Sequence, residues 1–247
     1  MTEFAHAWHL PDDRLTLSSQ DVHVWRASLS VSETRLADFQ ATLADDERER
    51  AARFRNPLHG AHYTVGRGVL RMLLGRYLNR SPQDIRFAYS EYGKPFIAEA
   101  IVTLRFNLSH SQDLALYAFT HQREIGIDIE YIRPVPSRDQ IAEQFFSPNE
   151  ARTLRALPAT QQDLGFFHCW TRKEAYIKAH GEGLSLPLDQ FDVSLIPGEP
   201  AVLLETRVAA DYAERWTLCA LQPGDDYRAA LAVEGHDWTL STWQWPG

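Results

Sequence analysis

The run Ile125-Gly126-Ile127-Asp128-Ile129-Glu130 constrains this chain most. Isoleucines fall at every second position, the pattern of a strand with one face in a core. The other face carries Asp128 and Glu130, two carboxylates that point the same way. Charged side chains are mostly exposed, so that face meets either solvent or a ligand. Adjacent carboxylates repel, and a bound cation relieves the repulsion.

Further on, Trp170-Thr171-Arg172-Lys173-Glu174-Ala175-Tyr176-Ile177-Lys178 reads as helix. Trp170, Glu174, Ile177 and Lys178 lie near one face of it. As a plain surface pair at i,i+4, Glu174 and Lys178 contribute only about 0.2–0.5 kcal/mol. At the edge of an apolar stripe beside Phe166-Phe167 they suit a cleft instead. Asp128, Glu130, Glu174 and Lys178 together suit a divalent cation held against a phosphate-bearing ligand. Mg²⁺ takes one or two carboxylates and completes its shell with phosphate oxygens and water.

The rest of the chain reads as α+β. Asp21 to Ala27 alternates as a strand. Residues 33 to 54 read as helix, capped by Ser32 and interrupted near Ala44-Asp45-Asp46. Residues 59 to 79 form the clearest amphipathic helix, through Tyr63, Val69, Leu70, Leu73, Leu74, Tyr77 and Leu78. Leu104 to Leu108 and Leu114 to Thr120 read as strands, with Ser109 to Asp113 as their hairpin loop. Pro148 opens a helix through Leu157, and a long helix over 161 to 180 stops at Gly181. Five strands follow: 191 to 195, 201 to 205, 216 to 221, 228 to 233 and 238 to 243. The strands are expected to pair antiparallel, and the order helix-then-strands occurs twice, a hint of duplication.

The 247 residues, 44% hydrophobic and 23% charged, suffice for a large core in one domain or two small ones. A formal net charge of −8 argues against nucleic acid as partner. No apolar run has transmembrane length, so no membrane partner is expected. The start Met1-Thr2-Glu3-Phe4-Ala5-His6 lacks signal-peptide character. Two cysteines, Cys169 and Cys219, form no disulfide framework. A reduced, cytoplasmic protein is the expectation.

Lysine occurs only at Lys94, Lys173 and Lys178, against 22 arginines. Codon bias explains an arginine excess. These three sites also suit a compact ammonium better than a planar fork. Residues 46 to 80 carry eight arginines against three acidic residues. Most are solvated helix face; Arg50, Arg53 or Arg67 can neutralise a terminal phosphate. Ser109-His110-Ser111 reads either as polar turn formers or as donors to phosphate oxygens. There is no Gly-x-Ser-x-Gly elbow, Walker loop or zinc spacing.

In order along the chain stand Gly93-Lys94-Pro95-Phe96, Phe106-Asn107-Leu108-Ser109-His110-Ser111, Gly126 to Glu130, Phe146-Ser147, Trp170 to Lys178 and Gly181-Glu182-Gly183-Leu184. Together they resemble the motifs of Sfp-type 4′-phosphopantetheinyl transferases. The resemblance implies two similar α+β subdomains, residues 1–121 and 122–247, related by a pseudo-twofold. Each would be a small antiparallel sheet packed with a long helix, with the active site between them. It implies transfer of phosphopantetheine from coenzyme A to a serine of an apo acyl or peptidyl carrier protein, releasing adenosine 3′,5′-bisphosphate. Asp128, Glu130 and Glu174 would hold Mg²⁺, or Mn²⁺ in its place. Lys178 would meet a phosphate, and Glu174 would also accept the serine proton, directly or through water. Lys94, Ser109, His110 and Arg50 would contact the coenzyme, Arg50 near its 3′-phosphate.

One position departs from the family pattern. An arginine expected early in the helix after residue 56 is replaced by Tyr63, with Arg67 one turn later. The choice among Arg50, Arg53 and Arg67 for the 3′-phosphate stays open. Leu184, Leu186 and Leu188 fall where the family docks its carrier, or seal the protein's own core. Two halves in one chain imply a monomer. Two further readings remain: a binder of coenzyme A or carrier without turnover, and a metal-dependent coenzyme A pyrophosphatase.

Overall fold

The computed structural model describes residues 7–11, 15–99, 101–181, 186–207 and 210–246. The first part runs β1 (Asp21–Ser28), α1 (Glu33–Thr42), α2 (Asp45–Ala52), α3 (Pro57–Leu78), β2 (Phe87–Tyr89), β3 (Pro95–Ile97), β4 (Leu104–Ser111) and β5 (Leu114–His121). The second runs β6 (Ile125–Tyr131), α4 (Arg138–Phe145), α5 (Pro148–Ala156), α6 (Ala159–His180), β7 (Phe191–Val193), β8 (Leu203–Thr206), β9 (Trp216–Leu221), β10 (Tyr227–Glu234) and β11 (Thr239–Gln244). No helix among the described residues is long and apolar enough to cross a membrane.

Local chemistry sets the helix ends. The Ser32 side chain accepts from the Arg35 amide, and Asn56 accepts from Leu58 with Pro57 in the first turn of α3. Asn79 and Gly181 close α3 and α6 in the left-handed region, at φ 51° and 85°. Ser147 and Glu150 form a reciprocal capping box on α5.

The strands make two main sheets, ordered β11-β1-β5-β4 and β6-β10-β9, plus the small pairs β2-β3 and β7-β8. The expectation of antiparallel pairing fails at one place: β11 runs parallel to β1. The last strand leaves β10 and crosses to the free edge of β1, whose backbone groups need partners. The chain's end therefore completes the sheet of its beginning.

Three cores stack the elements into layers. Trp25, Phe39, Val69, Leu73 and Phe119 pack α1 and α3 on the four-stranded sheet. Phe166, Tyr176, Ile177, Phe191 and Ala230 pack the later helices on the three-stranded sheet. Val22, Val24, Leu116, Ile125, Ile127, Ile129 and Leu231 fill the space between the sheets. Burying one such aliphatic side chain contributes roughly 1.5–3 kcal/mol, so three isoleucines fix the register of β6. A one-residue slip would turn them outward. Asp128 and Glu130 consequently face α6.

The Ser109–Asp113 hairpin loop is instead largely strand. Ser109, His110 and Ser111 pair with Leu116, Ala115 and Leu114, and only Gln112 and Asp113 turn, Gln112 at φ 52°. The strand extends because Ser109 and Ser111 find hydrogen-bond acceptors on β6, far along the sequence. Leu186 and Leu188 are buried in the core under α6, and so do not offer the exposed apolar face expected of a docking surface. Leu184 lies outside the described residues.

Gly126 lets α6 approach β6 closely. A Cβ at this position would overlap the Ala175 carbonyl oxygen and the Ala179 amide nitrogen. Backbone cannot swing aside as a side chain can. Gly126→Ala is expected to destabilise the protein by about 3 kcal/mol, measured by denaturant unfolding. A change below about 0.5 kcal/mol would contradict the close approach.

Candidate active site

The site forms where β4, β6 and α6 meet. Ala175 and Ala179 lie one turn apart on α6 over Gly126. Glu174 and Lys178 precede them by one residue each, so they share the neighbouring stripe of the helix. That stripe looks toward Asp128 and Glu130. On the other side, the outward residues of β4 line the open edge of β6. Asn107 Oδ1 accepts from the Ile127 amide at 2.9 Å, and Ser111 Oγ accepts from the Tyr131 amide at 3.0 Å. Side chains of β4 thereby stand in for a backbone ladder between the sheets.

Asp128 is the centre. It is buried. Its Oδ1 accepts from Lys178 Nζ at 2.6 Å and from Ser109 Oγ at 2.9 Å. Lys178 Nζ also donates to Ser109 Oγ at 3.1 Å. Asp128 Oδ2 is buried without a hydrogen-bond partner. Ser111 Oγ donates to Glu130 Oε2 at 3.2 Å. Lys178 thus pairs across to β6 rather than along its own helix with Glu174.

Electrostatics link the third carboxylate to these two. Burial, then the charge of Asp128, pushes the Glu174 carboxyl up, with Lys178 opposing and Glu130 adding. Burial and Asp128 likewise push Glu130 up. Burial, with the Lys178 ammonium and then His62 close by, holds His110 below the ordinary imidazole range.

Among the described residues no three acidic, His or Cys side chains stand as a closed metal cage. The donors still fit a hard cation. The charge of Asp128 raises the proton affinity of both glutamates, and one buried oxygen of Asp128 lacks a partner. An oxygen-seeking cation that keeps waters and takes phosphate oxygens suits such an open set.

The basic residues divide. The Arg50 guanidinium lies 5.3 Å from the centre of the Tyr63 ring. Arg53 is exposed and pairs with Glu49 at 3.2 Å. Arg67 is buried, 3.2 Å from Glu47 Oε1, and donates to the Tyr89 hydroxyl at 3.0 Å. Lys94 Nζ donates to the Ala179 and Ile125 carbonyls at 3.1 and 3.3 Å. It therefore joins the β2–β3 turn to the far end of β6. The structure brings Asp128, Ser109 and Lys178 into direct contact, with Glu130, Glu174 and His110 around them. Arg53, Arg67 and Lys94 are not in that cluster.

Sequence reasoning gave no role to Asn107, His59 or His62, and read Ser111 as a turn former or phosphate donor rather than as a partner of β6. Asn107 and Ser111 flank Ser109 at spacing two, which on a strand puts all three on one face. His59 and His62, three apart near the start of α3, both act on His110. Their helical spacing was the available signal.

Comparison with known proteins is consistent along the whole chain. Residues 124–232 match the family described as 4′-phosphopantetheinyl transferase superfamily, and residues 25–122 match that described as 4′-phosphopantetheinyl transferase, N-terminal. The chain is 43% identical over 242 residues to 4′-phosphopantetheinyl transferase HetI of Nostoc sp., covering 97% of this chain and 99% of that protein. It is 38% identical over 157 residues to 4′-phosphopantetheinyl transferase Sfp of Bacillus subtilis, covering 64% and 68%. A phosphopantetheinyl transferase of Thraustochytrium sp. is 31% identical over 81% of this chain and 73% of its own.

The raised carboxyls give a signed expectation. Glu130 and Glu174 bind protons more tightly in the folded than in the unfolded chain. Their contribution to the metal-free fold is therefore present at low pH and lost as pH rises through their raised range. Cation affinity runs the other way and weakens as they protonate. Glu174→Gln should raise the melting temperature of the EDTA-treated protein by about 2–4 °C at neutral pH. A variant that melts lower than the parent would contradict the repulsive cluster.

Proposed function

The chain belongs to the 4′-phosphopantetheinyl transferase superfamily, and we propose that the cluster around Asp128 is its transfer site. The enzyme moves the 4′-phosphopantetheine group of coenzyme A onto a serine of an apo carrier protein. The observation that carries the site assignment is the buried, half-satisfied carboxylate of Asp128, bonded to Lys178 and Ser109.

Asp128, Glu130 and Glu174 would hold Mg²⁺, with Mn²⁺ as substitute. When bound, the cation acts as a Lewis acid toward the pyrophosphate oxygens. Lys178 places a positive charge against a phosphate oxygen, where a preorganised cation stabilises developing charge. His110 and Ser109 offer donors to the same ligand, and Arg50 supplies charge for the 3′-phosphate. Of the three candidate arginines, Arg50 is favoured because Arg67 already has Glu47 as partner and Arg53 has Glu49.

In the reaction the carrier serine Oγ bonds to the β-phosphorus of coenzyme A. The bond from that phosphorus to the oxygen of adenosine 3′,5′-bisphosphate breaks. The serine proton passes to a base, for which Glu174 is the candidate. A general base must lie within hydrogen-bond reach of the proton it takes, directly or through one water. Most of the rate comes from positioning and charge rather than covalent chemistry by the protein.

The two halves flanking the ligand are taken as residues 1–121 and 122–247; the two family matches meet near residue 122, and the last strand of the second half joins the sheet of the first. A monomer in the cytoplasm, where apo carriers and coenzyme A meet, completes the proposal.

Intact-mass spectrometry of an apo carrier incubated with the protein, coenzyme A and Mg²⁺ tests it. A gain of one phosphopantetheine, lost with EDTA, is expected. Asp128→Ala should fold and lose at least about a hundredfold in rate. A folded Asp128→Ala variant of near-normal rate would refute the site. Release of free phosphopantetheine without carrier modification would indicate hydrolysis instead.

A further inference from the structure

Lys173 precedes Glu174 on α6, yet it points away from the site. Its side chain is fully buried. Nζ donates to the Leu188 and Phe191 carbonyls, each at 2.6 Å, and lies 2.8 Å from Glu150 Oε2. The Phe191 ring centre is 4.2 Å away. An ammonium has three donors and no more, and all three are engaged.

Glu150 is equally committed. Its Oε2 accepts from the Ser147 amide at 2.8 Å, and its Oε1 from the Val193 amide at 2.8 Å. Burial pushes its carboxyl up, and Lys173 opposes that shift. One ion pair thus joins three segments: the middle of α6, the first turn of α5, and the strand β7 that returns beneath α6. A planar guanidinium would not meet three oxygens converging on one point. This accounts for a lysine here in a chain that otherwise uses arginine almost throughout.

We infer that Lys173 is a positioning residue that sets the rotation of α6, and through it the placement of Glu174 and Lys178. Gly126 sets how close α6 comes to β6. That contact alone lets the helix roll about its axis. The Lys173 ammonium, held on the opposite side by Glu150 and two carbonyls, prevents the roll. Successive helix residues are about 100° apart. A modest rotation at Lys173 therefore carries Glu174 and Lys178 away from Asp128 together. With no donor to spare, Lys173 contacts neither coenzyme nor carrier.

The inference rests on the transfer site proposed above. Its test combines steady-state transfer with two readouts that need no turnover: calorimetric titration of coenzyme A, and amide hydrogen exchange of the full-length protein. Lys173→Met and Lys173→Arg should each lower kcat at least about tenfold. KM and Kd for coenzyme A should rise by less than kcat falls, and exchange should quicken across α6 and β7. The double variant Lys173→Met/Glu150→Gln should be no slower than Lys173→Met, since the two residues act as one pair. If Lys173→Met does not fold, Glu150→Gln carries the same expectation.

A tenfold rise in KM or Kd with kcat retained would overturn the inference, because it would mean a direct phosphate contact. Unchanged kcat and unchanged exchange in a folded Lys173→Met would overturn it too. Failure of the parent protein to transfer would sink the transferase site. In that case the exchange pattern alone decides for or against the role of Lys173.

Discussion

Asp128 keeps one carboxylate oxygen in a bond with Lys178 and Ser109 and leaves the other buried without a partner. A buried, incompletely paired carboxylate is costly. The surrounding structure exists in a form that imposes it. The isoleucines of β6 are locked between two sheets, so the alternate residues cannot escape from beneath α6. Glu130 lies two residues along the same face, and Glu174 approaches from the helix. Asp128 is held where its charge raises the proton affinity of both glutamates. Functional sites commonly hold such destabilising arrangements, and the rest of the fold offsets them.

That offset comes from restraints on both sides of α6. On one side, Gly126 admits the helix backbone against β6. On the other, Lys173 and Glu150 bind the helix to α5 and β7. Across the seam, Asn107 and Ser111 of β4 satisfy amides on the free edge of β6. Lys94 adds a third tie, from the β2–β3 turn to the end of α6. The placement of Asp128, Glu130, Glu174 and Lys178 depends on neighbours one or two residues away along β6 and α6.

Local periodicity made much of this legible in advance. The alternation in β6, the amphipathic α3 and the glycine stop of α6 are short-range signals, and each produced the element expected. The pairing of Asp128 and Glu130 on one face followed from the strand period alone. What failed depended on distant partners. Ser109-His110-Ser111 looks like a turn because its serines are turn formers. Their acceptors lie on β6, so the ladder continues through them. The parallel pairing of β11 with β1 joins the two ends of the chain, which no local pattern encodes. The ion pair between Glu47 and Arg67, which joins two helices, is likewise invisible to local pattern.

Mn²⁺ binding followed by electron paramagnetic resonance tests the central claim most directly, because it reads the cation rather than the reaction. In the presence of coenzyme A the account predicts one tightly bound Mn²⁺ per chain. Asp128→Asn should lose that site, since it keeps the side-chain shape but removes the negative charge that draws the cation. Equal Mn²⁺ binding by the parent and a folded Asp128→Asn variant would contradict the account, and the cation site would then have to be sought elsewhere.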